Sequence, residues 1–316
     1  MNRSALPDES LVPRLPLPLA QLYIRAFNAK TSLERHLTAF YFWEAGLKLL
    51  ASAAVVEYAR RGKSDPDLSS RSKNLAHPSL GHWWEIARRL VPVLANGGDA
   101  GLAKLRDLLL GKARHDMPRT AALDAVLREA LGGSAAARTT VSVGELFDRL
   151  VQLRNKELGH GAAGQRREDY YARTGPALLA GMGELFAALD VLVGRRLMFV
   201  ADVRRLASGA WLVERYDLHG ESARRLESQE VPEADAAGLP RPGRLYLTDA
   251  AGAGDSLHPL VLYDAEAVQV FYLNSCVDER RADYLCYTTG AVVRRDELGN
   301  DSRTVLAESL GLGEPG

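Results

Sequence analysis

Through the first two hundred positions, apolar residues recur with the spacing of helix faces. Leu33, Leu37, Phe40, Tyr41, Leu47, Leu50, Ala54 and Tyr58 share one side of a 3.6-residue helix. Thr31-Ser32-Leu33-Glu34 in front of them has the form of a capping box. A shorter helix is predicted over 19–29. Residues 1–18 read as an irregular lead-in, because Pro7, Pro13, Pro16 and Pro18 forbid a continuous helix. Ser79 caps a helix through Trp83, Trp84, Ile86, Leu90 and Val91, which Pro92 should end or kink. Asp99 caps another through Leu102, Leu105, Leu108 and Leu109. His115 falls in a polar connection and is expected at the surface. A helix over 120–131 stops at Gly132-Gly133, a strong C-terminal signal. Ser142-Val143-Gly144-Glu145, a second capping box, opens a helix carrying Val143, Leu146, Phe147, Leu150, Val151 and Leu158. A last helix is predicted over 175–193.

The period changes near Leu197. Residues 197–203 and 211–218 are strand-like and are parted by Ser208-Gly209. Further strands are predicted over 223–231, 244–248, 260–263, 268–273, 284–287 and 292–295. Their short lengths and turn-rich gaps indicate a small antiparallel sheet or barrel. The stretch 232–243, with three prolines and two glycines, reads as an exposed excursion. The expected class is therefore α+β. A helical bundle over 19–196 precedes a β-rich domain over 197–298, and 299–316 reads as a disordered tail or linker.

Composition narrows the function classes. With 316 residues the chain can hold two domains, and 47% hydrophobic with 25% charged residues is ordinary for a globular protein. Lys plus Arg and Asp plus Glu number 40 each, so no global field draws the protein to nucleic acid or membrane. An RNA substrate would need a local basic patch. Arg far outnumbers Lys, which suits bidentate phosphate contacts, though GC-rich coding is the plainer explanation. Cys276 and Cys286 form no CxxC and have no His at metal spacing, so no metal or other cofactor is expected and a reduced, cytoplasmic protein is the default. No apolar run reaches the roughly 18 residues of a membrane span, and the N-terminus lacks the apolar core of a signal peptide.

The stretch 151–161 concentrates the candidate chemistry. Arg154 and Asn155 fall on the last turn of a predicted helix, Gly159 breaks it, and His160 follows. Metal-independent RNA cleavage needs a base for the 2′-hydroxyl, a cation for the phosphorane and an acid for the leaving oxygen. His transfers protons near neutral pH, Arg is a permanent forked phosphate ligand, and Asn can orient either partner. On an unbroken helix Arg154 and His160 would lie about 240° apart on the wheel. A left-handed Gly159 would let the chain fold His160 back towards Arg154. One His is thin for a full acid–base cycle, so a two-fold dimer that pairs two such sets is expected. The plainer reading is a helix end whose Arg and His favour the dipole by ~0.3–1 kcal/mol per charge.

Other stretches could support such a site. Glu44 and Lys48 are one turn apart, either as an ion pair on a helix flank or as a pair that orients a site residue. The polar stretch 59–79 holds Arg60, Arg61 and Lys63, which make it a solvated loop or a phosphate-steering arm; with Lys156 they are the candidate RNA contacts. Tyr263, Phe271, Tyr272, Tyr284 and Tyr287 could stack bases or alternate between core and surface.

The run Arg154-Asn155-Lys156-Glu157-Leu158-Gly159-His160, at the end of an amphipathic helix in an all-α region, resembles the Arg-x(4–6)-His motif of the HEPN superfamily. Glu44-Ala45-Gly46-Leu47-Lys48 is similar to a Glu-x-x-x-Lys-Arg element of some members, with Leu49 where the second cation should stand. The resemblance covers about 19–196. It implies a helical bundle that dimerises to form its cleft, and a metal-independent endoribonuclease of a bacterial defence or stress-response system. In it Arg154, Asn155 and His160 would be catalytic, with Glu44, Lys48 and Gly159 supporting. The β-rich part would then meet a protein partner or trigger. The alternative is a catalytically silent adaptor that dimerises through the helical part and binds nucleotide, RNA or a partner protein.

Overall fold

A computed structural model describes residues 8–61, 78–97, 100–134, 138–157, 168–249, 252–276 and 281–296. The protein is α+β: helices occupy the N-terminal half, and antiparallel sheets follow. The helices are α1 (Leu17–Asn28), α2 (Ser32–Arg60), α3 (Leu80–Ala95), α4 (Ala100–Leu110), α5 (Pro118–Ala130), α6 (Val143–Glu157), α7 (Glu168–Ala187) and α8 (Asp190–Val193).

Helix α2 is the axis of the bundle and packs against α1, α3 and α7. The Thr31 hydroxyl accepts from the Glu34 N–H at 3.1 Å, and the Glu34 carboxylate reaches back to the Lys30 N–H instead of closing on Thr31. From Thr38 to Tyr58 the helix is buried on nearly all sides, not on the single face its apolar spacing predicts. By length and composition α2 could cross a membrane, but 94% of its most apolar stretch is buried inside the protein. Within the helix as a whole, Glu44, Lys48 and Glu57 are also buried.

Local signals set several helix ends. Ser79 caps α3 in a reciprocal box in which the His82 Nδ1 accepts from the Ser79 N–H. Helix α3 continues through Pro92 to Ala95, so Pro92 does not end it. Helix α5 stops where Gly132 takes φ +91°, with Gly132 and Gly133 N–H groups donating to the Glu129 and Arg128 carbonyls. Helix α7 begins at Glu168, before the predicted start, and carries Pro176 inside it. Burial of Tyr171, Thr174 and Leu178 offsets the backbone hydrogen bond that proline forfeits.

Strands β1 (His115–Asp116) and β2 (Thr140–Val141) form a small antiparallel pair within the helical half. His115 is partly exposed there, and its Nε2 is 3.2 Å from the Asp107 carbonyl oxygen. The change of period near Leu197 coincides with β3 (Arg196–Arg205). It pairs with β4 (Trp211–Asp217) and β7 (Arg244–Thr248), while β5 (Arg224–Arg225), β6 (Gln229–Val231) and β8 (Gly254–Ser256) complete a six-stranded sheet. The single strand predicted over 223–231 is thus two short ones, and β8 has no sequence signal. Strands β9 (Val261–Asp264), β10 (Gln269–Cys276), β11 (Arg281–Leu285) and β12 (Val292–Asp296) form a second sheet in the order β12-β11-β10-β9.

One buried apolar cluster runs through the bundle and both sheets. The Leu17 N–H donates to the Leu218 carbonyl at 2.7 Å, and the Gly220 N–H donates to the Leu15 carbonyl at 2.9 Å. The residues predicted as a tail, 299–316, lie outside the described residues.

Candidate functional site

Val143, Leu146, Phe147, Leu150 and Leu153 bury one face of α6. Ser142 precedes this helix, and its carbonyl accepts from the Leu146 N–H. The register leaves Asn155 and Lys156 exposed on the last turn and Arg154 half-buried beside them. Gly159 and His160 lie outside the described residues.

The Arg154 Nε donates to Glu44 Oε1 at 3.3 Å, so α6 and α2 are tied by charge across 110 positions of sequence. Glu44 is almost fully buried, whereas the Arg154 side chain keeps a third of its surface. Lys48 does not close an ion pair on Glu44. It points along α2 to the strand half and donates to the Leu273 carbonyl of β10 at 3.1 Å. Its ammonium also lies 5.3 Å from the Tyr287 ring centre and 5.9 Å from that of Trp83. The Tyr287 hydroxyl, just beyond β11, is buried close enough to the Glu44 carboxylate to feel its charge. Tyr41, one turn before Glu44, stacks at 5.8 Å on Tyr287.

Burial dominates the protonation of this cluster. It lowers the Lys48 pKa to about 8, with Glu44 opposing the fall and Arg154 adding to it. Burial likewise raises the Tyr287 hydroxyl well above its ordinary value, and the Glu44 charge pushes the same way. At neutral pH Lys48 therefore stays mostly charged in spite of its burial. The part-exposed Arg154 and the exposed Lys156 at the end of α6 are suited to an anion such as a phosphate.

Arg60 and Arg61 belong elsewhere. Arg60 Nε lies 2.8 Å from an Asp255 carboxylate oxygen, and Arg61 Nη2 donates to Glu57 at 2.7 Å. Arg195 approaches the same Glu57 at 3.7 Å. Burial raises the Asp255 pKa; Arg60 opposes that rise and Glu57 adds to it. These arginines stand about 24 Å along α2 from Glu44, at 1.5 Å per residue. They join the end of α2 to α3 and β8 and share no contact with Arg154. Lys63 lies outside the described residues.

The predicted supporting pair thus divides, with Glu44 turning to Arg154 and Lys48 to the sheet. Tyr287, Trp83 and the Leu273 carbonyl were not legible as site members, because contacts between distant elements leave no spacing signal. Of the aromatics weighed as base-stacking residues, Phe271, Tyr272, Tyr284 and Tyr287 are buried and Tyr263 is partly so. Among the described residues, no three His, Cys, Asp or Glu side chains gather in a way that could hold a metal ion.

Fold and site together define an α+β protein in which a helical bundle and two antiparallel sheets enclose a buried ionic cluster. Set against protein-family models, curated proteins and solved structures, the chain gives no match.

Proposed function

We propose that the protein is a HEPN-like, metal-independent endoribonuclease that binds the scissile phosphate at the end of α6. The observation that carries this reading is the anchoring of Arg154 by Nε to the buried Glu44, with exposed Asn155 and Lys156 beside it. A guanidinium held through Nε can present its Nη1–Nη2 fork to a phosphate, and the pre-set geometry removes an ordering cost. In this proposal His160 moves the proton to or from the ribose and leaving oxygens, and Asn155 orients phosphate or imidazole. A homodimer brings two sets into one cleft, and the strand half meets a protein partner or trigger. The setting that goes with this reading is bacterial defence or stress response.

The Glu44–Arg154 pair also favours a second reading, a catalytically silent adaptor in which the pair only joins α2 to α6. RNA cleavage in EDTA separates the two. Wild-type protein should cleave, and Arg154→Ala or His160→Ala should reduce the rate by about 100-fold or more. Intact RNA with the wild type, or equal cleavage by all three proteins, would remove the catalytic assignment.

A further inference from the structure

A groove of about 520 Å³ opens where the N-terminal lead-in, α1 and the turn after β4 meet. Val12, Pro13, Ile24 and Phe27 give it an apolar lining, to which Glu9, Asn28 and Glu221 add polar side chains. Ile24, Phe27 and Asn28 are spaced by three and four, so they share one face of α1, whereas Leu22, Tyr23 and Ala26 are buried on the other. Ile24 and Phe27 stay partly exposed, an apolar strip on the side where a surface helix ordinarily turns polar residues to water. Hydrogen bonds set the walls in place. The Gly220 N–H donates to the Leu15 carbonyl at 2.9 Å, Pro16 and His219 form an antiparallel bridge, and Gln21 Nε2 donates to the Glu221 carbonyl at 3.4 Å. Gly220 takes φ +74°, a left-handed conformation that turns the chain back at this wall. The lead-in is held by the Asp8 N–H, which donates to the Tyr23 hydroxyl at 3.1 Å.

Glu9 and Glu221 are exposed, no cationic side chain lines the groove, and neither carboxylate forms an ion pair among the described residues. Two uncompensated carboxylates beside apolar surface repel nucleic-acid phosphates and anionic lipid headgroups, and they attract a cation carried next to apolar groups. We propose that this groove docks a protein partner through a short segment in which Lys or Arg flanks a large apolar side chain. The apolar side chain lies against Ile24 and Phe27, the cations meet Glu9 and Glu221, and the Asn28 amide serves the segment's backbone. The volume gives room for a few side chains and falls within the range of ordinary ligand pockets. The site is independent of the nuclease reading. Its walls come from both halves of the molecule, so a docked segment touches both.

The test titrates the full chain with a set of short, fluorescently labelled peptides in which lysines flank a leucine, isoleucine or phenylalanine. Anisotropy should show binding with a Kd of about 10–100 μM that weakens at high salt. The double variant Glu9→Gln, Glu221→Gln and, separately, Ile24→Ser should each weaken binding about tenfold. Val292→Ser, which alters an exposed apolar residue of β12, should leave it unchanged. Both glutamates are exposed, so the double variant should keep the wild-type Tm and decides the matter even if Ile24→Ser unfolds. Peptides with glutamate in place of lysine should not bind. Equal binding of lysine and glutamate peptides, no binding up to about 1 mM, or affinity unmoved by the double variant would overturn the proposal. Self-association of the wild type that Ile24→Ser abolishes would give the groove to a second copy, and tighter peptide binding on removal of residues 1–7 would give it to the chain's own N-terminus. Either result would also overturn it.

Discussion

Lys48 is the residue whose environment departs furthest from what its position in the sequence suggests. An ammonium four residues from a carboxylate on a helix reads as a solvated pair, but here it is fully buried and its pKa falls to about 8. The unfolded chain holds this proton up to about pH 10.5, so between pH 8 and 10 the unfolded state binds more protons than the folded one. Stability supplied by Lys48 therefore rises with pH across that window. Relative to Lys48→Met, the wild type should gain about 2 kcal/mol between pH 7 and pH 10, as read from urea unfolding. A constant difference over that range would mean that Lys48 is hydrated in solution. Asp217 behaves in the opposite sense. Burial pushes its carboxyl up, but His219, Arg224 and Arg196 together bring it below the ordinary value. Its contribution is present at neutral pH and is lost on acidification through that lowered value.

At the scale of elements, the fit of α2 against α7 depends on Gly46, which lies between Glu44 and Lys48. A Cβ at Gly46 would stand 2.3 Å from the tip of the buried Phe186 ring, which also packs on Phe42 at 4.8 Å. Alanine is the better helix former, so local propensity alone would make Gly46→Ala stabilising. The close approach reverses the sign. The substitution should cost about 1–3 kcal/mol in chemical denaturation, since overpacking forces the ring or the helix to move. A gain in stability would show that α2 and α7 can separate freely at that point. Much of the helical layout was legible because caps and apolar spacing are local. Thr31, Ser79 and Gly132 mark ends that the structure keeps. Pro92 does not end α3, and Pro176 lies within α7, because tertiary burial outweighs one missing backbone hydrogen bond. The two-residue strands β1 and β2 and the short β8 are too brief to show a period.

For the whole molecule, the shared core decides how far the halves can be separated. Leu17 of α1 bonds to Leu218, Arg60 pairs with Asp255, and Lys48 bonds to Leu273, so each end of the bundle and its middle engage the strand half. A fragment ending at Arg195 would uncover apolar surface and leave Lys48 without its acceptor. It should bind a hydrophobic dye and lose the cooperative unfolding of the full chain. A fragment that melts cooperatively near the full chain's Tm would show that the helical half is self-sufficient.

Read alone, the sequence determined the α+β class, the turnover from helices to strands near Leu197, and the presentation of Arg154 and Asn155 at a helix end. These follow from periodicity and capping, which operate within about a turn or a strand. Only the tertiary structure decided that Glu44 holds Arg154 while Lys48 reaches β10, that Arg60 and Arg61 close a separate network, and that Tyr287 joins the buried cluster. Apart from Arg61 and Glu57, one helical turn apart, those partners lie tens to hundreds of positions apart. Their meeting depends on the core that packs α2 against α6, α7 and both sheets, and no local pattern records it.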